Sequence, residues 1–118
     1  MKTLKEKNQA VEAVNILIAE LQENNLIAGG GAFLCNENGS FDHDPAEDAV
    51  VDEKVEVRFD VEIWPEHTRT FTDAGRAELA SEFSALEKII TAARAFGKVN
   101  KVGDGSGSLG SIECYEIA

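Results

Sequence analysis

Apolar residues recur every three or four positions in two long segments of the chain, residues 3–25 and residues 72–96. This spacing puts apolar side chains along one side of a helix, so both segments are predicted to be amphipathic helices. The predicted stripe of the first helix is Leu4, Val11, Val14, Leu17, Ile18 and Leu21. The predicted stripe of the second is Leu79, Phe83, Leu86, Ile89, Ile90, Ala93 and Phe96.

Residues that favour helix ends flank both segments. Asn24 and Asn25, with the three glycines at 29–31, indicate the end of the first helix, because asparagine and glycine tolerate a left-handed backbone. Thr72 is a suitable N-cap for the second helix, and Gly97 is typical of a helix end.

Residues 51–63 follow a different period, with apolar and polar positions in alternation. The apolar members are Val51, Val55, Val57, Phe59, Val61 and Ile63, and the polar members are Asp52, Lys54, Glu56, Arg58, Asp60 and Glu62. Glu53 is the one polar residue on the apolar side. A period of two predicts a long strand with one buried face and one hydrated face.

Shorter segments complete the predicted elements. Residues 32–35 and 112–117 have the composition of strands, and Asn38-Gly39 predicts a tight turn, after which Phe41 begins a short return strand. Residues 42–49 are predicted to form an acidic loop, in which Pro45 prevents regular strand pairing. The glycine-rich residues 103–108 are predicted to form a flexible loop.

Together these elements predict an α+β fold. The expected architecture is a two-layer sandwich, with two amphipathic helices packed on one face of a small, mainly antiparallel sheet, in the order α-β-(β)-β-α-β. The chain has 118 residues, of which 43% are hydrophobic. That length and composition suit a single globular domain over residues 1–118.

The net charge of −11 is concentrated in one segment. Residues 37–66 contain eleven acidic and two basic residues, for a charge of −9, whereas the segments before and after carry −1 each. Phosphate groups would be repelled by such a chain, so we expect it to bind neither nucleic acid nor an anionic membrane directly.

The acidic segment is the candidate partner-binding site. On the hydrated face of the long strand, side chains stand roughly 6.6–7 Å apart, a spacing comparable with that of phosphates along a nucleic-acid strand. Such a row is suited to a basic protein surface, although Lys54 and Arg58 interrupt it. The predicted partner-binding residues are Asp42, Asp44, Glu47, Asp48, Asp52, Glu56, Asp60 and Glu62.

Motifs for catalysis or cofactor binding are missing from the sequence. No Gly-Lys-Ser/Thr follows the glycine-rich residues, and there is no Gly-x-Ser-x-Gly nucleophile motif. His43 and His67 are the two histidines and lack metal-binding spacing, so we expect no metal and no cofactor. Cys35 and Cys114 are expected to be buried, reduced thiols. The amino-terminal residues do not resemble a secretion signal, and we expect a cytoplasmic protein.

The sequence therefore favours a noncatalytic, acidic protein-binding module. In its more specific form, this is an inhibitor that occupies the basic nucleic-acid-binding surface of a partner, as a phage or plasmid anti-defence protein would. The alternative is a small oligomeric accessory or structural subunit. A third hypothesis is a metal-dependent enzyme, in which His43, His67 and nearby carboxylates would bind the metal ion.

Overall fold

A computed structural model describes residues 3–36, 39–41, 55–63, 73–107 and 110–118. The helices are α1 (Leu4–Glu23) and α2 (Asp73–Arg94). The strands are β1 (Gly29–Asn36), β2 (Gly39–Phe41), β3 (Glu56–Ile63), β4 (Val99–Ser106) and β5 (Ser111–Ile117). The α+β class predicted from the sequence is confirmed.

Helix α1 begins and ends with local hydrogen bonds. The Thr3 hydroxyl accepts a bond of 3.1 Å from the backbone N–H of Glu6, which satisfies one of the unpaired donors of the first turn. At the other end the chain leaves the helix through Asn25, whose φ of 56° is left-handed. The buried side of α1 comprises Leu4, Lys7, Ala10, Val14, Ile18 and Leu21.

Lys7 is the one charged residue among the buried residues of α1. It is 8% exposed, and its Nζ donates a hydrogen bond of 2.7 Å to the backbone oxygen of Val55, just before β3. A buried ammonium needs such an acceptor, and the contact holds the start of β3 to the first turns of α1.

The predicted alternation is confirmed over the part of the strand that the structure describes. Val57, Phe59, Val61 and Ile63 are buried on one side of β3. Phe59 is 0% exposed, and its ring stacks on Tyr115 of β5 with a centroid separation of 5.1 Å. Residues 51–54 of the predicted strand lie outside the described residues.

The described strands form one antiparallel sheet in the order β2-β1-β3-β5-β4. Strand β3 is central, with β1 and β5 as its neighbours. Strand β2 pairs with β1 only from Leu34 onward. Before that point Asn15 of α1 replaces a strand neighbour, because its side-chain amide bonds both the N–H (2.7 Å) and the C=O (3.0 Å) of Ala32.

Strand β4 is a correction to the sequence prediction. Residues 103–108 were predicted to be a flexible loop, but residues 99–106 pair with β5 across a register shift between Lys101 and Gly103. Backbone groups make these ladder bonds, so glycines are compatible with the pairing. The sequence hides the strand because β4 lies at the sheet edge and is exposed along most of its length.

One apolar cluster joins the helices to the sheet. It contains the buried apolar residues of α1 and β3, Ala32 and Leu34 of β1, and Tyr115 and Ile117 of β5. The members from α2 are Ala85, Leu86, Ile89, Ile90 and Ala93, and Phe96 packs against the cluster. The side chains of Leu79 and Phe83, also predicted for this stripe, lie outside the described part.

Candidate functional site

The strand register defines the sheet face opposite the apolar cluster, called the open face below. In an antiparallel pair, residues directly opposite each other point to the same side of the sheet. Arg58 is opposite Phe33 and Glu116, and Asp60 is opposite Gly31 and Cys114. On β1, β3 and β5, the side chains of the open face are Phe33, Cys35, Glu56, Arg58, Asp60, Glu62, Ile112, Cys114 and Glu116.

The structure places three of the eight predicted partner-binding residues together. Glu56, Asp60 and Glu62 follow one another along the open face of β3. The other five predicted residues lie outside the described residues: Asp42, Asp44, Glu47, Asp48 and Asp52. The predicted row of carboxylates can therefore be compared with the structure only on β3. There, Glu56, Asp60 and Glu62 each have a different neighbour.

Glu56 is engaged by Arg58, the single basic residue of β3. The Arg58 guanidinium donates to Oε2 of Glu56 from Nε at 2.9 Å and from Nη2 at 2.8 Å. This side-chain hydrogen bond, with the attraction between the two charges, raises the pKa of Arg58. The pair is partly exposed, so its charges are screened, and this end of the predicted row carries little net charge.

Glu62 has a structural contact at the other end of β3. Its Oε1 accepts a hydrogen bond of 3.0 Å from the backbone N–H of Gly110, which lies in the turn between β4 and β5. Gly107 in the same turn lies so close to the carboxylate that a Cβ there would collide with it. Glu62 thus ties the β4–β5 turn to the central strand.

Asp60 lies between these two carboxylates and contacts a thiol. The Cys114 thiol lies directly opposite Asp60 on the neighbouring strand. Burial raises the pKa of Cys114, and the adjacent Asp60 carboxylate with its negative charge raises that pKa further. A carboxylate has acceptor sites for several donors, so Asp60 can accept a second partner on its outer side.

Both cysteines lie on the open face and are partly exposed, which corrects the prediction that they are buried. Cys35 and Cys114 are half-buried free thiols. Cys35 is opposite Glu56 and Cys114 is opposite Asp60, so β3 lies between them. Two interstrand steps of about 4.8 Å, together with the offset along the strand, exceed the reach of a disulfide, roughly 7 Å between Cα atoms.

A groove of about 290 Å³ opens on this face beside Asp60. Gly31 is directly opposite Asp60, and because glycine has no Cβ, the sheet surface is low at this position. Phe33 and Ile112 stand at the sides of the groove, and Asp60 and Glu62 supply its carboxylates. The groove thus combines apolar walls with negative charge.

Sequence reasoning missed this groove. The glycines at 29–31 were interpreted as the end of the first helix, whereas they begin β1. The groove is marked by a glycine that lies opposite a carboxylate. Finding this pair requires knowledge of the pairing register of β1 with β3. That register is a long-range property and is not visible in a local pattern.

A second polar cluster lies at the β4 edge, on the core side of the sheet. Lys101 contacts Asp104 at 2.7 Å and Glu113 at 3.5 Å, and the Tyr115 hydroxyl donates a bond of 2.7 Å to Glu113. Burial, followed by this bond to a carboxylate, raises the pKa of Tyr115 well above its usual value. These contacts satisfy the polar groups of Tyr115 and Glu113 at the margin of the core.

Metal and membrane binding find no support among the described residues. No three His, Cys, Asp or Glu side chains in this part of the chain are grouped to hold a metal ion. His43 and His67 lie outside it, so the absence of a metal site stays a prediction. Neither described helix combines the length and apolar character that a membrane-spanning segment requires.

Comparison with known proteins returned no relative. No protein-family description, no curated protein and no solved structure matches the chain.

Proposed function

We propose that the protein is a noncatalytic binding module that docks a basic protein surface on the open face of its sheet. The acidic residues 42, 44, 47, 48 and 52, which precede β3, are part of this proposed surface. The observation that carries the proposal is the groove, which places apolar walls and the carboxylate of Asp60 side by side. A buried apolar anchor next to a charged group is the usual composition of an energetically important contact.

The arrangement of helices and sheet supports this choice of face. We infer a two-layer sandwich, in which α1 and α2 lie on the same side, because their buried residues share one apolar cluster with the core side of the sheet. The partner then binds the opposite side, so docking requires no rearrangement of the core.

Electrostatics on the described open face favour a positively charged partner. Glu56, Asp60, Glu62 and Glu116 are acidic, and Arg58 is already bonded to Glu56. The excess of carboxylates would accelerate the encounter with a basic surface, and this acceleration would be lost at high salt.

The proposal that the module mimics nucleic acid is narrower. A mimic needs a continuous row of carboxylates, and on β3 the Glu56–Arg58 pair interrupts that row. The contacts on β3 therefore favour a mixed apolar and acidic docking surface there. An inhibitor that takes the place of phosphates, such as an anti-defence protein, would rely mainly on the acidic residues at 42–52.

The proposal is tested by capturing partners from a host lysate with immobilised protein. Wild-type protein is compared with an open-face double variant, Glu56→Lys with Asp60→Lys, at about 0.05 M and 0.5 M salt. We expect a partner with a basic surface that is retained by wild-type protein at low salt, released at high salt, and captured at least about tenfold less by the double variant.

A matched control has the same change in net charge on another surface. Glu12 and Glu20 are exposed on α1, and the double variant Glu12→Lys with Glu20→Lys should capture the partner within about twofold of wild type. Equal losses in the two double variants would show that only total charge matters. Undiminished capture by the open-face variant would show that the partner binds elsewhere.

One observation favours a second candidate, a small oligomeric subunit. Strand β4 is an edge of the described sheet, and its Val102 is 43% exposed, so this edge offers backbone groups for pairing with another chain. Light scattering over a range of concentrations distinguishes the two candidates. A stable oligomer that Val102→Lys dissociates would support the second, whereas a monomer would exclude it.

A further inference from the structure

The groove on the open face has the size of a site for one side chain. Its volume of about 290 Å³ is at the lower end of the range for sites that enclose a small molecule, about 300–1,000 Å³. It is bounded by the backbone at Gly31, by the side chains of Phe33 and Ile112, and by the two carboxylates Asp60 and Glu62. An occupant that complements this lining is apolar along its length and positively charged at its end.

We infer that this groove binds a single arginine side chain of the basic partner. This inference rests on the proposed docking function and names the group that the partner inserts. The three methylenes of an arginine would pack against Ile112 and the glycine floor, and its guanidinium would bond Asp60. An arginine plane can also stack on the exposed part of the Phe33 ring, as cations do on aromatic faces.

Asp60 is the carboxylate best placed to accept the guanidinium. Glu56 is already bonded to Arg58, and Oε1 of Glu62 holds the backbone N–H of Gly110. Among the described residues, the neighbour of Asp60 across the strands is the Cys114 thiol, which as a weak donor satisfies a carboxylate less than an arginine or a backbone N–H does. A planar guanidinium with paired donors matches a carboxylate better than the single ammonium of lysine does.

The inference is tested with a small probe, N-acetyl-arginine-N-methylamide, titrated into the isotopically labelled full chain. Backbone amide NMR signals report where the probe binds. We expect saturable shifts at Gly31, Phe33, Asp60 and Ile112, with a dissociation constant that is roughly millimolar for a ligand of this size. The citrulline analogue has the same shape without the charge, and we expect it to bind at least about tenfold more weakly.

Two variants remove different properties of the groove. Asp60→Asn removes the charge at constant volume, and Gly31→Val fills the groove at constant charge. A Cβ at Gly31 would make only an ordinary contact of 3.8 Å with Oδ1 of Asn15, so the position tolerates the start of a side chain. Each variant should weaken arginine binding about tenfold.

The controls are matched to these two changes. Glu20→Gln removes one exposed charge on α1, and Gly103→Val adds the same side chain to the open face of β4, where the described residues leave the space within 4 Å of a Cβ open. Both controls should bind the probe within about twofold of wild type. Dispersion of the NMR spectrum shows that each variant is folded before its affinity is compared.

The outcomes separate this inference from the proposed function. Equal binding of arginine and citrulline probes, or shifts outside the groove, would overturn the arginine assignment. If the arginine assignment is overturned but the Glu56→Lys, Asp60→Lys variant still fails to capture the partner, the docking function stands without an arginine site. If the probe binds as expected but capture is unaffected by the double variant, the docking function fails and the arginine site stands.

Discussion

Asp60 and Cys114 show how one pair of side chains on the open face sets the chemistry of a thiol. The thiol is half-buried beside a carboxylate, and both features disfavour the negatively charged thiolate. The thiolate is the reactive form of cysteine, so a raised pKa means a slow reaction at neutral pH. The reactivity of Cys114 therefore depends on its burial and on the charge at Asp60.

We predict that Cys114 in native protein is alkylated more slowly than an unfolded thiol at pH 8, and that Asp60→Asn accelerates the reaction several-fold. Removing the negative charge lowers the pKa of Cys114, and each unit of lowering increases the thiolate fraction about tenfold. Mass spectrometry of the modified peptide measures both rates. An unchanged rate in the variant would show that burial alone slows the thiol.

Tyr115 provides a second prediction at the scale of single residues, which concerns the stability of the protein in alkaline solution. It is 7% exposed, and its pKa in the folded protein is raised above the usual value of 10.0. Above pH 10 the unfolded chain ionises Tyr115 first, so the free energy of unfolding falls as pH rises, by up to about 1.4 kcal/mol per pH unit from this group. Below pH 10 the full contribution is present.

Denaturant melts of wild type and Tyr115→Phe between pH 8 and pH 11 check this slope. At pH 8 the free energy of unfolding of the variant should be about 1 kcal/mol lower than that of wild type, because the bond to Glu113 is gone. As pH rises further, the free energy of unfolding of the variant should fall less steeply than that of wild type. Tyr115 is the only tyrosine, so phenolate absorbance reports its ionisation directly. Parallel slopes would contradict the raised pKa.

At the scale of elements, the sequence predicts those with a strong internal period. Both helices and β3 follow from the spacing of apolar residues, since each buries one side against a common core. The sequence does not reveal β4, because an exposed edge strand has no buried side to enforce an alternation. It also does not reveal that the glycines at 29–31 begin β1, because their role depends on the strand opposite.

Strand β3 provides the first prediction about elements. Phe59→Ala should lower the free energy of unfolding by roughly 3–5 kcal/mol, because the ring is fully buried and stacks on Tyr115. Asp60→Ala, one position along the same strand, should cost less than about 1 kcal/mol. Equal small losses in denaturant melts would show that β3 is not divided into a buried and a hydrated face.

The glycines of β1 provide the second prediction about elements. Gly30 has a φ of 151°, and a Cβ there would collide with the backbone oxygen of Asp60. Gly30→Ala should therefore destabilise the protein by roughly 1–3 kcal/mol. Gly31→Ala meets only an ordinary contact and should change stability by less than about 1 kcal/mol. Thermal melts compare the two variants, and equal effects would contradict the close approach at Gly30.

At the scale of the whole molecule, sequence and structure locate the candidate surface with different resolution. The charge distribution alone points to residues 37–66, where −9 of the net charge is found. It cannot distinguish a carboxylate that is bonded to an arginine or to a backbone N–H from one that lies beside a thiol. Those differences arise from strands that are distant in sequence, which is why Asp60 emerges only from the fold.

The central claim is that a basic partner docks on the open face, and association kinetics test it most directly. The captured partner is purified, and its association rate is measured for wild type, for Glu56→Lys with Asp60→Lys, and for the control Glu12→Lys with Glu20→Lys. The open-face variant should associate at least about tenfold more slowly at low salt, while the control stays within about twofold of wild type. Equal association rates for the two double variants would contradict the claim.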